Sequence, residues 1–296
     1  MSFADRFVPG ARTWIMGIVN VTSDSFSGDG ILDGAGTAAR AVAQAEAFLD
    51  AGADILDIGG ESTRPGASPV GAVEEAARVL PAIRAIKQKF PDAVLSVDTY
   101  RATVARQAVD AGAEIVNDVW ALQADADMAG VVAGTGVHVV LMHNRSRAGA
   151  VTLDPRLGGQ YRGADYGNVV EDVAADLAAL AAAACDAGVA QGRIMLDPGI
   201  GFGKTVAQNL ALLNHLDRLT ALGYPLLVGT SRKSFIGQVL DAPVEGRLDG
   251  TAATVALAIA RGASVIRVHD VAAMVRVARM TDAILRAPVS ASDAAD

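Results

Sequence analysis

Short apolar runs recur along the chain, and a similar signal precedes most of them. An Ala-rich amphipathic stretch ends at a glycine, and the apolar run follows. Ala51-Gly52-Ala53 leads to Ile55-Leu56-Asp57-Ile58, Ala111-Gly112-Ala113 to Ile115-Val116-Asn117, and Arg261-Gly262-Ala263 to Val265-Ile266-Arg267-Val268. Weaker copies stand at Gly136, Gly188 and Gly223. A glycine in the left-handed conformation stops a helix and lets the chain turn into a strand. The runs are nearly all apolar rather than alternating, so both of their faces must be covered, as in a parallel sheet packed between helices. The pattern predicts strands at 14–19, 55–58, 94–97, 115–117, 137–142, 194–196, 226–229 and 265–268, each able to lead into a helix. Eight such units predict a single (β/α)8 barrel with its active site at the C-terminal ends of the strands. The alternative, a doubly wound open sheet, would need a linker or a break in composition, and the chain shows neither.

The barrel is expected to span residues 13–287, with a loose N-terminal extension at 1–12 and a loose tail at 288–296. A length of 296 residues with 51% hydrophobic and 20% charged residues supplies a sizeable core. The net charge of −8 argues against a nucleic-acid partner, and an anionic substrate would need local cations. Cys185 is the one cysteine, so no internal disulfide can form; this fits a reducing cytoplasm, and a buried helix position suits it better than a catalytic one. The early charges of residues 1–12 do not read as a secretory leader. The Ala-rich stretch from Leu177 to Val189 is interrupted by Asp186 and Gly188 and is too short to span a bilayer.

Polar residues close the predicted strands in turn: Asn20, then Glu61-Ser62-Thr63-Arg64, Asp98, Asn117, His143, Asp197, Ser231-Arg232-Lys233, and finally Arg267 with His269. Any one of them could be a helix cap, as Asp98 before Thr99 illustrates. Their convergence on one rim favours a site. Asp98, Asn117, Asp197 and Lys233 suit a flat heterocycle with donors and acceptors on its edge, because a carboxylate accepts two parallel N–H bonds from a guanidine-like edge. Arg267 and His269 suit an anion, and Asn20 could supply an oxygen to Mg²⁺, so the three together could hold a diphosphate. Gly203-Lys204-Thr205 ends like a nucleotide-binding loop, but Pro198 stands where that motif requires glycine.

Seven motifs in order carry a family resemblance: 17–27 (GIVNVTSDSFS), 57–66 (DIGGESTRPG), 96–99 (SVDT), 117–119 (NDV), 197–205 (DPGIGFGKT), 231–235 (SRKSF) and 267–270 (RVHD). Together they resemble the dihydropteroate synthases, which join a pterin diphosphate to 4-aminobenzoate and release pyrophosphate. The resemblance implies that Asp98, Asn117, Asp197 and Lys233 hold the pterin, with Met142 and Phe202 as apolar walls. It implies that Asn20 binds Mg²⁺ with the diphosphate, and that Arg267 and His269 hold the diphosphate too. Thr63, Arg64 and Pro65 would build the 4-aminobenzoate site with Phe26, and Ser231, at a helix start, would meet the benzoate carboxylate. The implied mechanism is C–O cleavage before attack, with Asp98 favouring the pterin-methyl cation. A homodimer and binding of sulfonamides, as 4-aminobenzoate mimics, are further expectations. One motif departs from the family: Ser27-Gly28-Asp29-Gly30 replaces the commoner Ser-Asp-Gly-Gly, which leaves the part played by Asp29 open. The glycine-containing segments 26–36 and 59–71 are long for βα loops and are candidate lids that would order 4-aminobenzoate binding after the pterin diphosphate. Two other readings are a methyltetrahydrofolate-binding barrel serving a methyltransferase, which would not need the 62–65 or 231–233 residues, and a non-catalytic pterin-binding paralogue.

Overall fold

The computed structural model describes residues 3–21, 36–61, 70–146, 151–154, 158–161 and 165–287. Its strands are β1 (Trp14–Asn20), β2 (Ile55–Gly59), β3 (Val94–Asp98), β4 (Ile115–Asp118), β5 (His138–Met142), β6 (Val151–Asp154), β7 (Gly158–Tyr161), β8 (Ile194–Asp197), β9 (Leu227–Val228) and β10 (Val265–Val268). The helices are α1 (Phe3–Arg6), α2 (Thr37–Asp50), α3 (Ala72–Lys89), α4 (Ala102–Asp110), α5 (Met128–Thr135), α6 (Val169–Asp186), α7 (Val206–Asn214), α8 (Leu216–Thr220), α9 (Ser234–Leu240), α10 (Leu248–Ala260) and α11 (Val271–Leu285). All eight expected apolar runs are strands, and they pair in parallel in the order β8-β5-β4-β3-β2-β1-β10-β9. A parallel bridge between Leu196 and Leu226 joins the two ends of that order. The result is the expected (β/α)8 barrel, and the open-sheet alternative falls away. The antiparallel hairpin β6–β7 was not expected from the sequence. The six glycines read as helix stops all have positive φ, from +66° at Gly136 to +113° at Gly112.

Strand parity explains how one sheet makes both a plug and a site, because alternate side chains of a strand point to opposite faces. Trp14 and Met16, Ile55, Val94, Ile115, Val140, Met195, Leu227 and Val265 form one buried apolar cluster inside the base of the barrel. Two residues further along the same strands stand Ile18, Asp57, Ser96, Asn117, Met142, Asp197, Gly229 and Arg267. The inward face therefore changes from apolar to polar within one pleat on β2, β3, β4, β8 and β10, while Ile18 and Met142 keep it apolar on β1 and β5. The other parity, including Leu56, Ile58, Leu95, Val97, Val116, Val139, Leu141, Leu196 and Ile266, packs against the surrounding helices in a second cluster. At Gly17 the approach is so close that a Cβ would stand 2.7 Å from the ring of Phe48 on α2.

The N-terminal segment corrects an expectation. Residues 3–7 are not loose: Phe3 is fully buried and belongs to the cluster at the barrel base. Its ring stacks on Phe7 at 4.8 Å and meets Trp14 and His138 edge-on at 5.4 and 4.6 Å, and its backbone N–H donates to Glu114 at 2.7 Å. Arg12 pairs with Asp54 at 2.6 Å, which ties down the end of the same segment. The cause is geometric: the open base of the barrel exposes apolar side chains that need a cover, and Phe3 and Phe7, one helical turn apart, supply it. Cys185 lies on α6 as expected, but half-buried rather than buried. The tail 288–296 lies outside the described residues. No helix among the described residues is long and apolar enough to cross a membrane.

Candidate functional site

The mouth of the barrel is organised by one guanidinium and two carboxylates. Arg267 Nε donates to Asp57 Oδ2 at 2.6 Å, and its Nη2 donates to Asp98 Oδ2 at 2.7 Å. Asn117 Nδ2 also donates to Asp57 Oδ2, at 3.1 Å. Strand register produces this meeting, since Asn20, Gly59, Asp98 and Asn117 align across β1 to β4. Asp57 has no exposed surface. A buried charge is tolerated only when paired, and Arg267 is the pair. Asp57 Oδ1 and Ser96 Oγ are buried side-chain oxygens without a hydrogen-bond partner here. Burial pushes Asp98 up to about 7; Arg267 opposes the shift, and the neighbouring carboxylates of Asp57, Glu75 and Asp118 add to it. Burial disfavours the Arg267 charge, but Asp57 and Asp98 outweigh it and raise the group further.

Asp57 was missed in the sequence, where it reads as one polar residue inside an apolar strand. Its signal is position: it occupies the same inward layer as Asn117, Asp197 and Arg267. The sequence also set Arg267 apart for an anion. In the structure two of its nitrogens lie on the carboxylates of Asp57 and Asp98, so it stands beside the residues expected to meet the ring.

Across the mouth, Asp197 Oδ1 accepts from the backbone N–H of Gly199 at 2.7 Å. Burial raises Asp197, and Lys233 opposes the rise. The Nζ of Lys233 donates to the carbonyl of Ile200 and lies 4.8 Å from the centre of the Phe202 ring. Lys233 is half-buried by area but set deep enough for desolvation to lower it to about 8, against the pull of Asp197. Met142 is buried and registers beside Asp197. The expected apolar walls, Met142 and Phe202, therefore stand next to the expected polar group.

Ser231 differs from its expectation. It does not start a helix; α9 begins at Ser234, because Arg232 takes a left-handed φ of +58° and delays the helical turn. Ser231 Oγ accepts from the backbone N–H of His269 at 3.2 Å and lies 3.1 Å from its Nδ1. Arg232 forms a two-pronged pair with Asp270 at 2.9 and 2.6 Å, which joins the loops after β9 and β10. Phe26, Asp29, Thr63, Arg64 and Pro65, and most of both candidate lids, lie outside the described residues.

The nucleotide-loop lookalike is structural. Thr205 caps α7 in a reciprocal capping box with Gln208. Lys204 folds back on its own loop and is buried, and desolvation lowers it to about 7. His143, expected at the rim, points away from the barrel axis toward Asp176 of α6, at 2.9 Å.

A (β/α)8 barrel whose mouth gathers carboxylates, an amide and a lysine beside apolar side chains is the arrangement of an enzyme suited to a flat, donor-rich heterocycle. The match to known proteins is specific. Residues 16–269 match the family described as pterin binding enzyme. The dihydropteroate synthase of Clostridium beijerinckii is 48% identical over 282 residues, 95% of this chain and 97% of that one. Among solved structures, the Clostridium difficile dihydropteroate synthase with pteroic acid superposes with a TM-score of 0.85 at 44% identity, covering 95% of this chain and 99% of the other. The Xanthomonas albilineans enzyme with 4-aminobenzoic acid gives 0.82 at 42% identity, covering 94% and 95%. The chain belongs to the pterin binding enzyme family, within its dihydropteroate synthases.

Proposed function

We propose that this site condenses 6-hydroxymethyl-7,8-dihydropterin diphosphate with 4-aminobenzoate, using the two charge clusters that face each other across the barrel mouth. The observation that carries the assignment of roles is their layout. Asp197 with Lys233 lies on one side, and Asp98 and Asn117, joined through Arg267 and Asp57, on the other. A pterin seated between them offers N–H groups to Asp197 and Asp98, accepts from Lys233, and lies against Met142 and Phe202. Asn117 gives its amide hydrogen to Asp57, which leaves its oxygen as the acceptor for the ring.

In the reaction, the C–O bond to the diphosphate breaks and the leaving group takes the electron pair. The positive charge left on the pterin methylene is favoured by ionised Asp98. The aromatic amine then forms the C–N bond with its lone pair and releases a proton to solvent. Such an amine is neutral near pH 7, so no dedicated base is needed. His269 donates a ring N–H to the departing diphosphate. Mg²⁺ would supply charge to that leaving group. The fit is reasonable: Asn20 offers one neutral amide oxygen at the rim near Gly59 and Asp98, and no cluster of carboxylates and histidines able to enclose a metal occurs among the described residues. Such a donor set suits an ion that keeps its waters and is held mainly by substrate phosphates.

The decisive assay is pyrophosphate release from the pterin diphosphate with Mg²⁺. Release that depends on added 4-aminobenzoate is expected; equal release without it would leave a pterin-binding protein rather than a synthase. A pH series gives a second expected result. In the free enzyme Asp98 titrates near 7. If the ring binds its ionised form, binding below that pH requires a proton to leave first, so affinity rises as pH increases through about 7. Calorimetry across the range should show this rise and its loss in Asp98→Asn; a pH-independent wild type would remove Asp98 from the ring contacts. We also take the enzyme to be a cytoplasmic homodimer. Met280, Ile284 and Leu285 on α11 are exposed apolar side chains available for such an interface, and light scattering of the purified chain tests it.

A further inference from the structure

Beneath the ring-binding wall lies a buried cation that the reaction does not use. Lys204 is 2% exposed. Its Nζ donates to the carbonyls of Gly199 at 3.0 Å and Phe202 at 3.1 Å, and lies 3.1 Å from His143 Nδ1. An ammonium has three protons, and these are three acceptors. With Nδ1 accepting, His143 carries its proton on Nε2 and donates it to Asp176 Oδ2 at 2.9 Å. The same carboxylate oxygen accepts from Arg145 Nε at 2.7 Å, and the Arg145 guanidinium lies over the ring of Tyr166 at 4.8 Å. The chain of contacts runs from the loop after β8, through the loop after β5, to α6.

The turn at the inner end of this chain carries much of the pterin wall. Gly199 supplies the N–H that orients Asp197. Ile200 supplies the carbonyl that receives Lys233. Phe202 is the wall itself, under the Lys233 ammonium. Gly199 and Gly201 both have positive φ, so the turn has little intrinsic preference for this shape over others. Lys204 bonds the carbonyls at both of its ends.

We propose that Lys204 is a positioning residue for pterin recognition, fixing the 199–202 turn from below and braced by His143 and Asp176. It touches neither the ring nor the reacting atoms. Without it, the carbonyls of Gly199 and Phe202 lose a buried donor, and the turn can relax to conformations in which Asp197, Lys233 and Phe202 no longer face one ligand together. The inference rests on the pterin assignment above and adds to it a residue, a direction of effect and a substrate on which the effect falls.

The test uses the full chain with Mg²⁺ and compares two ligands. Lys204→Met keeps the length and removes the charge. It is expected to raise Kd for 6-hydroxymethyl-7,8-dihydropterin about tenfold. KM for 4-aminobenzoate, measured at saturating pterin diphosphate, should stay within about twofold, since that substrate does not need the turn. Asp176→Asn and His143→Gln leave the two carbonyl bonds in place and should raise the pterin Kd in the same direction by a smaller factor. Unchanged pterin affinity in a cooperatively melting Lys204→Met, or equal weakening of both substrates, overturns the proposal. If Lys204→Met does not accumulate folded, the partly exposed Asp176→Asn decides: a raised pterin Kd with an unmoved 4-aminobenzoate KM supports it, and an unmoved pterin Kd overturns it. Wild-type protein that binds no pterin would instead sink the functional assignment itself.

Discussion

Asp197→Asn is expected to lower affinity for the pterin ring by about a hundredfold, with a comparable loss of turnover at low substrate. One oxygen of this buried carboxylate already accepts the Gly199 N–H. If the amide of the variant keeps its oxygen there, its NH2 group faces the N–H groups of the ligand, donor against donor. If it flips, the Gly199 N–H loses its acceptor instead. Neither orientation satisfies both neighbours, and Lys233 loses the negative charge that offsets its desolvation. Calorimetric titration of the folded variant is the measurement. Wild-type affinity would take Asp197 out of the ring contacts.

Arg267→Ala should act on the fold and the ligand together. Removing the guanidinium leaves Asp57 inside the barrel and Asp98 at its mouth without their cationic partner. A broken buried pair of this kind costs about 3 kcal/mol or more. The sign of its pH dependence follows from Asp98, which stands near 7 even with Arg267 present and would rise further without it. An acid whose folded-state pKa lies above its unfolded value holds its proton preferentially in the fold. The variant should therefore be closest to wild-type stability in mild acid and lose stability as pH rises through neutrality. Denaturant unfolding at several pH values checks this, and a deficit that shrinks toward alkaline pH would contradict it. Ligand binding separates Arg267 from its neighbour. His269→Ala should weaken the diphosphate substrate while sparing the free hydroxymethyl pterin, whereas Arg267→Ala should weaken both, because its partner Asp98 is the carboxylate proposed to meet the ring.

The barrel and most of its rim were legible in the sequence because strand periodicity leaves a plain record. An apolar run buried on both sides ends where a polar residue begins, and the Asp98, Asn117 and Asp197 positions all obey that rule. Asp57 escaped because it sits within its strand rather than at the end. Only counting parity from Ile55 puts it on the inward face. Phe3 and Phe7 escaped because a four-residue helix carries almost no periodic signal, and its reason for existing lies in the barrel base, far away in sequence. The start of α9 was misplaced by three residues because the left-handed turn at Arg232 is taken by a residue type that does not advertise it. The carboxylate partners of Arg267 were not legible because they lie 210 and 169 residues away in sequence.

The seam between β8 and β9 has a consequence for motion. Every other junction of the barrel is a run of paired residues, but this one is a single bridge, Leu196 to Leu226, which includes the backbone bond from Leu196 to the Pro225 carbonyl at 2.9 Å. Asp197 stands at the end of one side and Lys233 follows the other. On the proposed assignment, a heterocycle gripped by both residues is a rivet across the least-stitched joint of the cylinder. Amide hydrogens along β8 and β9 should exchange with solvent sooner than those of β1 to β4, and a bound pterin should slow them more than any others in the sheet. That result would couple recognition of the ring to closure of the barrel through the same few side chains.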